Sequence, residues 1–249
     1  MPGQSLQFKA RMAGFFWLMT FLLGAFAMAI AGRFLVTGDV VATASNILAH
    51  ELAFRSGAAA NLVATACYLT ATILVYVLLK PVNKNASLLA AFFSLLGCAI
   101  GAFSFLFYFA PLVLLSGASY LSVFTAEQQQ TLAFVSLKLA ANANDLGLIF
   151  FGLHILLVGV LIIGSIFLPR AIGLLLTIGG LCYLTNSFAS FLALPFARNL
   201  FPYILLPAFI AELSLILWLL VKGVNVQQWK QQAGAADSFP FSLTQPNET

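Results

Sequence analysis

Apolar residues run along this chain in long unbroken stretches, and the polar residues gather in the intervals between them. Six such stretches can be drawn, over about residues 12–32, 58–79, 87–115, 146–168, 171–193 and 203–221. Each is near the ~20 apolar residues that a helix needs to cross a bilayer's hydrocarbon. With no water there to bond backbone amides, such spans are helical. The intervals "KPVNKN" and "LPR" are tight polar turns, whereas 33–57 and 117–144 are long and 194–202 is intermediate. Both long intervals carry helical signals. In "TASNILAHELAFR", Ser45 or Thr43 can cap a helix start, and Glu51 and Arg55 form an i,i+4 pair. In "TAEQQQTLAFVSLKLAANAND", Thr125 and Gln128 have capping-box spacing, and Leu132, Val135 and Leu139 recur on one face. The expected fold is all-α: a bundle of six transmembrane helices over residues 1–224. Two amphipathic extracytoplasmic helices would lie on the membrane or close the bundle. Residues 225–249 are polar and Gln-rich and are expected to form a disordered cytoplasmic tail, with Phe239 and Phe241 fraying along with it.

Composition excludes a water-soluble domain. Of the 249 residues, 62% are hydrophobic and 7% charged, against about 25% charged in soluble proteins. The net charge of +4 comes from basic residues scattered at span ends, which argues against nucleic acid as a partner. With the N-terminus inside, Lys9, Arg11, Lys80, Lys84, Arg170, Lys222 and Lys230 fall on one side and Arg33, Arg55, Lys138 and Arg198 on the other. Seven against four, with an even number of spans, predicts a bacterial cytoplasmic (inner) membrane protein with both termini in the cytoplasm. The first stretch has a basic front and an "AIAG" like a cleavage site. Its apolar part exceeds the ~7–15 residues of a signal-peptide core, so a retained first span is expected. Cys67, Cys98 and Cys182 all lie in apolar runs, as small buried hydrophobes rather than a disulfide or zinc framework.

Several stretches in order carry a resemblance: "ARMAGFFWLMTFLLGAFA", "TASNILAHELAFRSG", "YVLLKPVNKNASLLAAFF", "GLIFFGLHILLVGVLI", "FLPRAIGLLLTIGGLCYL" and "LPAFIAELSLILWLLVKGV". Together, from about Lys9 to Val224, they resemble the bacterial integral membrane family catalogued as domain of unknown function 4386. Ala211, before the acid of the last stretch, departs from the Gly expected there. The resemblance implies a helical inner-membrane protein and no reaction, substrate or cofactor.

Candidate chemistry comes down to polar residues inside spans. Glu212 lies about nine residues into the sixth stretch, roughly 14 Å deep at 1.5 Å per residue. His154 and Asn186 fall at similar depth, with Asn61 and Tyr68 level with them or nearer the outside. Asp145 marks an outer helix end and Arg198 the loop above it. A carboxylate at mid-membrane costs about 2.5–3.5 kcal/mol even on lenient scales. Glu212 must therefore be neutral, paired, hydrogen-bonded or hydrated within the protein, with His154 a candidate partner. Helix-to-helix hydrogen bonding accounts for such residues, and so does an outward-facing polar pocket for a small polar or cationic ligand or a proton. Glu212, His154, Asn186, Asp145, Tyr68, Asn61 and Arg198 are its candidate lining residues.

Motifs for other chemistry are missing. "HE" at 50–51 has no H-E-x-x-H extension, so no metal and no cofactor is expected. No span holds a lysine for a retinal Schiff base, and no G-x-S-x-G or phosphate loop occurs. Gly14, Gly24, Ala25, Ala29, Gly97, Gly101, Gly179 and Gly180 are read as helix-packing positions. Trp17, Trp218 and Trp229 are read as anchors at the cytoplasmic interface. A non-enzymatic membrane protein with a polar pocket is the leading reading. The alternatives are an accessory subunit of a larger membrane complex, with a membrane-protein partner or a homo-oligomer, and an intramembrane lipid-modifying enzyme.

Overall fold

The computed structural model describes residues 2–192, 195, 199 and 203–237, and among these every regular element is helical. The elements are α1 (Pro2–Phe34), α2 (Val40–Ala49), α3 (Glu51–Leu79), α4 (Lys84–Leu114), α5 (Ala126–Gly164), α6 (Arg170–Phe191), α7 (Leu206–Val221) and α8 (Val226–Asp237). Short 3₁₀ turns precede α5 and α7. Six of these helices are long and apolar enough to cross a membrane.

The six long helices form a ring. α1 packs on α3, α3 on α4, α4 on α5, α5 on α6, α6 on α7, and α7 closes back on α1. The outward faces keep large apolar side chains exposed, among them Phe92, Phe103, Leu106, Ile178, Leu181 and Leu217. In water that surface would be an aggregation site; in a bilayer it is the lipid contact. Inside the ring, Leu78, Ile155, Val158, Ile162, Leu215 and Leu219 pack at the end that carries both termini and seal it.

Glycines set how closely two of the helices approach. A Cβ on Gly159 would lie 2.6 Å from the Thr177 amide nitrogen, and one on Gly180 would lie 2.7 Å from that of Leu156. α5 and α6 therefore meet backbone to backbone, the arrangement that small residues permit between membrane helices. Gly14, Gly97 and Gly179 also pack closely, against α7, Phe151 and Ala208. Gly24 and Gly101 do not serve as packing positions, since a Cβ there would meet nothing within 4 Å.

The two outer helices differ from expectation. The first interval breaks at His50 (φ −133°, ψ 40°), so Glu51 and Arg55 belong to the first turns of α3, where they pair at 2.6 Å. The cap of α2 is Asp39, whose carboxylate accepts from the Ala42 amide at 2.8 Å. Gly38, at φ 82°, turns the chain into it. Thr43 instead lies within α2 and donates to the Asp39 carbonyl. The second interval is no separate helix. Thr125 and Gln128 form the capping box, at 2.9 and 3.2 Å, and α5 then runs 39 residues without a break. At 1.5 Å per residue that is about 58 Å, nearly twice the ~30 Å hydrocarbon thickness. Its first turns must project beyond the membrane, where α2 packs against α5.

The start of α1 and the end of α7 are drawn together. Gln7 donates to the Lys222 carbonyl at 2.7 Å and accepts from the Val224 amide at 3.1 Å. The tail is not disordered from residue 225, because α8 is held in place. Trp229 donates to the Leu78 carbonyl at 2.8 Å, and Gln232 bonds both Ile166 and Gly164. These bonds satisfy carbonyls at the ends of α3 and α5, a tertiary gain that polar composition does not reveal. Phe239 and Phe241 lie outside the described residues.

Candidate functional site

The half of the ring away from the termini encloses a cavity of about 230 Å³. All six long helices line it. α1 contributes Thr20, α3 Asn61, Thr65 and Tyr68, α4 Ser104, α5 Asn144 and Phe151, α6 Tyr183 and α7 Glu212. Gly24 and Gly101 also line it, and their lack of side chains leaves the space open. Asn61 and Asn144 are exposed and stand at the open end, while Glu212, 4% exposed, is the deep end.

Glu212 is held from two neighbouring helices. The Trp17 indole donates to Oε2 at 3.0 Å and the Tyr183 hydroxyl to Oε1 at 2.7 Å. Trp17 is therefore not an interface anchor. It is 1% exposed, and a buried indole N–H requires an acceptor. A carboxylate has about four lone-pair sites, so two further bonds can be accepted from the cavity. No lysine or arginine lines the cavity among the described residues.

The threonine and serine hydroxyls of the lining spend their protons on helix carbonyls. Thr20 donates to the Phe16 and Ala64 carbonyls, Thr65 to Asn61 and Ser104 to Gly101. Bonding back to helix carbonyls is the usual resort of Ser and Thr in spans. It leaves oxygen lone pairs, not protons, for an occupant. The Tyr68 hydroxyl and the Asn61 and Asn144 amides can donate as well as accept, so the surplus of acceptors lies in the carboxylate and these three hydroxyl oxygens.

His154 is not bonded to Glu212. Its Nδ1 lies 2.8 Å from the Ala90 carbonyl, which can only accept, so Nδ1 carries a proton. Nε2 is buried without a partner among the described residues. The ring sits 6.3 Å from that of Trp17 and 5.9 Å from that of Tyr68 and does not line the cavity. Asp145 accepts from Ser190 at 2.9 Å and faces a separate cleft of about 460 Å³ between α5 and α6. Asn186 is buried on α6 and lines neither space. Arg198 lies outside the described residues. Of the sequence candidates, then, Glu212, Tyr68 and Asn61 meet at one cavity, and His154, Asn186 and Asp145 do not join them.

Sequence reasoning missed Tyr183, Thr20, Ser104 and Asn144 and misplaced Trp17. A signal for Tyr183 was available, since a tyrosine in mid-span needs a partner for its hydroxyl. No three His, Cys, Asp or Glu side chains are grouped as a metal site among the described residues.

The ring of apolar helices around an acid-floored cavity defines a multi-pass helical membrane protein. The chain belongs to the family described as "Domain of unknown function (DUF4386)", which matches residues 12–223. It is also similar to an uncharacterized protein of Archaeoglobus fulgidus, 27% identical over 162 residues, covering 64% of this chain and 78% of that protein. No solved structure matches.

Proposed function

We propose that this protein binds a small ligand bearing hydrogen-bond donors or a positive charge, taken up from the extracytoplasmic side and anchored at Glu212. The observation that carries the reading is the acceptor surplus around a carboxylate without a counter-charge in the described lining. Leaving such a group unmatched in the membrane is costly, and an occupant with donors matches it. Size narrows the class. The cavity is below the ~300–1,000 Å³ of drug-sized sites and holds the equivalent of several waters at ~30 Å³ each. Binding or passage is favoured over catalysis because Ser104 has no base beside it and donates to its own helix. In this reading the bundle lies in the cytoplasmic membrane with both termini inside.

The test is thermal unfolding of purified protein in nanodiscs against a panel of small amines, alcohols and amino acids. At least one compound should raise the wild-type midpoint and leave Glu212→Gln unmoved. A ligand at 100 times its Kd adds about 2.7 kcal/mol, a shift readily measured. If no compound distinguishes the two proteins, the binding reading fails. A stoichiometric partner in native preparations would then favour the accessory-subunit reading.

A further inference from the structure

We infer that the cavity's ligand is a small primary ammonium ion, and that it enters in exchange for one proton at Glu212. This rests on the binding reading above and adds the ligand class and the coupling.

The class follows from matching groups. Glu212 has two unused acceptor positions toward the cavity, since one oxygen is taken by Trp17 and the other by Tyr183. Thr20, Thr65 and Ser104 have spent their protons on helix carbonyls, so each offers lone pairs. A primary ammonium carries three N–H donors and no acceptor, the complement of that lining. Its alkyl part meets Phe21, Phe105 and Phe151. Aromatic faces also attract cations, most strongly where water is excluded. A divalent metal ion would want more oxygen ligands than this lining gathers around one point.

The coupling follows from charge. The titratable groups facing Glu212 are Tyr183 from α6, Tyr68 from α3 and Cys98 from α4, with His154 of α5 behind Tyr68 and Trp17. α1 supplies no titratable group there, its polar side chains being Trp17 and Thr20. None of these carries a fixed positive charge. A cation in the cavity supplies the missing counter-charge, whether a proton on Glu212 or an ammonium beside it. The exchange balances: the carboxylic acid releases its proton to water, and the resulting carboxylate accepts N–H bonds from the ammonium. Occupancy by either cation leaves the site neutral, so the two compete for one seat.

The experiment uses the full chain in nanodiscs with n-butylammonium as the probe and n-butanol as its neutral counterpart. Proton release is followed with a pH-sensitive dye in weak buffer, and affinity is measured by calorimetry from about pH 5 to about pH 9, where an alkylamine stays protonated. About one proton should leave per butylammonium bound. Affinity should rise with pH by up to about tenfold per unit while Glu212 holds its proton, then level off. Butanol should release none. Glu212→Asp should retain proton release and Glu212→Gln should lose it. The wild-type measurement alone decides the matter if Glu212→Gln does not fold. Butylammonium binding with no proton release and a flat pH profile overturns the exchange but leaves the binding reading standing. Failure to bind butylammonium, while a neutral member of the wider panel stabilises wild type over Glu212→Gln, overturns the ammonium class alone. If nothing binds, both readings fall.

Discussion

Glu212 is a buried acid, and its two hydrogen bonds come from Trp17 on α1 and Tyr183 on α6. That an acid in mid-span must find company was legible from its position. Which residues would supply it was not, because they stand 195 and 29 residues away along the chain. Histidine looked the natural partner on charge alone, yet His154 spends its Nδ1 proton on Ala90. Trp17→Phe keeps most of the buried ring and removes one donor. It should destabilise by about 1 kcal/mol, the scale of hydrogen bonds between membrane helices. Trp17→Ala also empties the space of a fully buried core side chain and should cost about 3–5 kcal/mol. Denaturant unfolding in mixed micelles measures both. If Trp17→Phe and Tyr183→Phe each leave the unfolding curve unmoved, these bonds do not hold the acid in place.

At the scale of elements, the α5–α6 contact and the cavity wall use glycine for opposite ends. On Gly159 an added methyl would meet backbone atoms of Thr177 and Gly173 at 2.6–2.7 Å. Gly159→Ala should therefore force the helices apart at about 1–3 kcal/mol, the usual cost of overpacking, and unfold at lower denaturant. Gly101→Ala meets nothing within 4 Å and lines the cavity. It should fold as wild type and weaken binding of the larger members of a ligand series. Equal destabilisation by the two substitutions would contradict the packing described. Spacing alone grouped both kinds of glycine as packing positions. The pattern of small residues tells where helices can approach, and only the neighbours tell where they do. The length of α5 makes a similar point. Its polar "NAND" stretch looked like a boundary, but no proline or glycine stands between Ala126 and Leu146. Without a breaker, a well-capped helix continues.

For the whole molecule, the ring order explains why one end is sealed and the other hollow. Large aliphatic side chains fill the half near the termini, and glycines with short polar groups line the other. The Gln7 bonds to Lys222 and Val224 put the start of α1 and the end of α7 on the sealed side. Ser116 and Lys230 are exposed at opposite ends. In intact cells, an impermeant maleimide should label Ser116→Cys and spare Lys230→Cys if the hollow half faces outward. The reverse pattern would invert the proposed orientation and make the cavity a cytoplasmic one.

Six spans, their order, the shared side of the termini and the need to shelter Glu212 were all set by the sequence. Each is a consequence of transfer free energy, which is summed locally over a run of residues. Which helices became neighbours, that Trp17 and Tyr183 reached the acid, that His154 turned to the Ala90 carbonyl and that α8 docked were decided by the tertiary structure. Those outcomes depend on contacts between residues far apart in the chain. In a membrane, where spanning helices are apolar on most of their surface, hydropathy does not distinguish one neighbour from another.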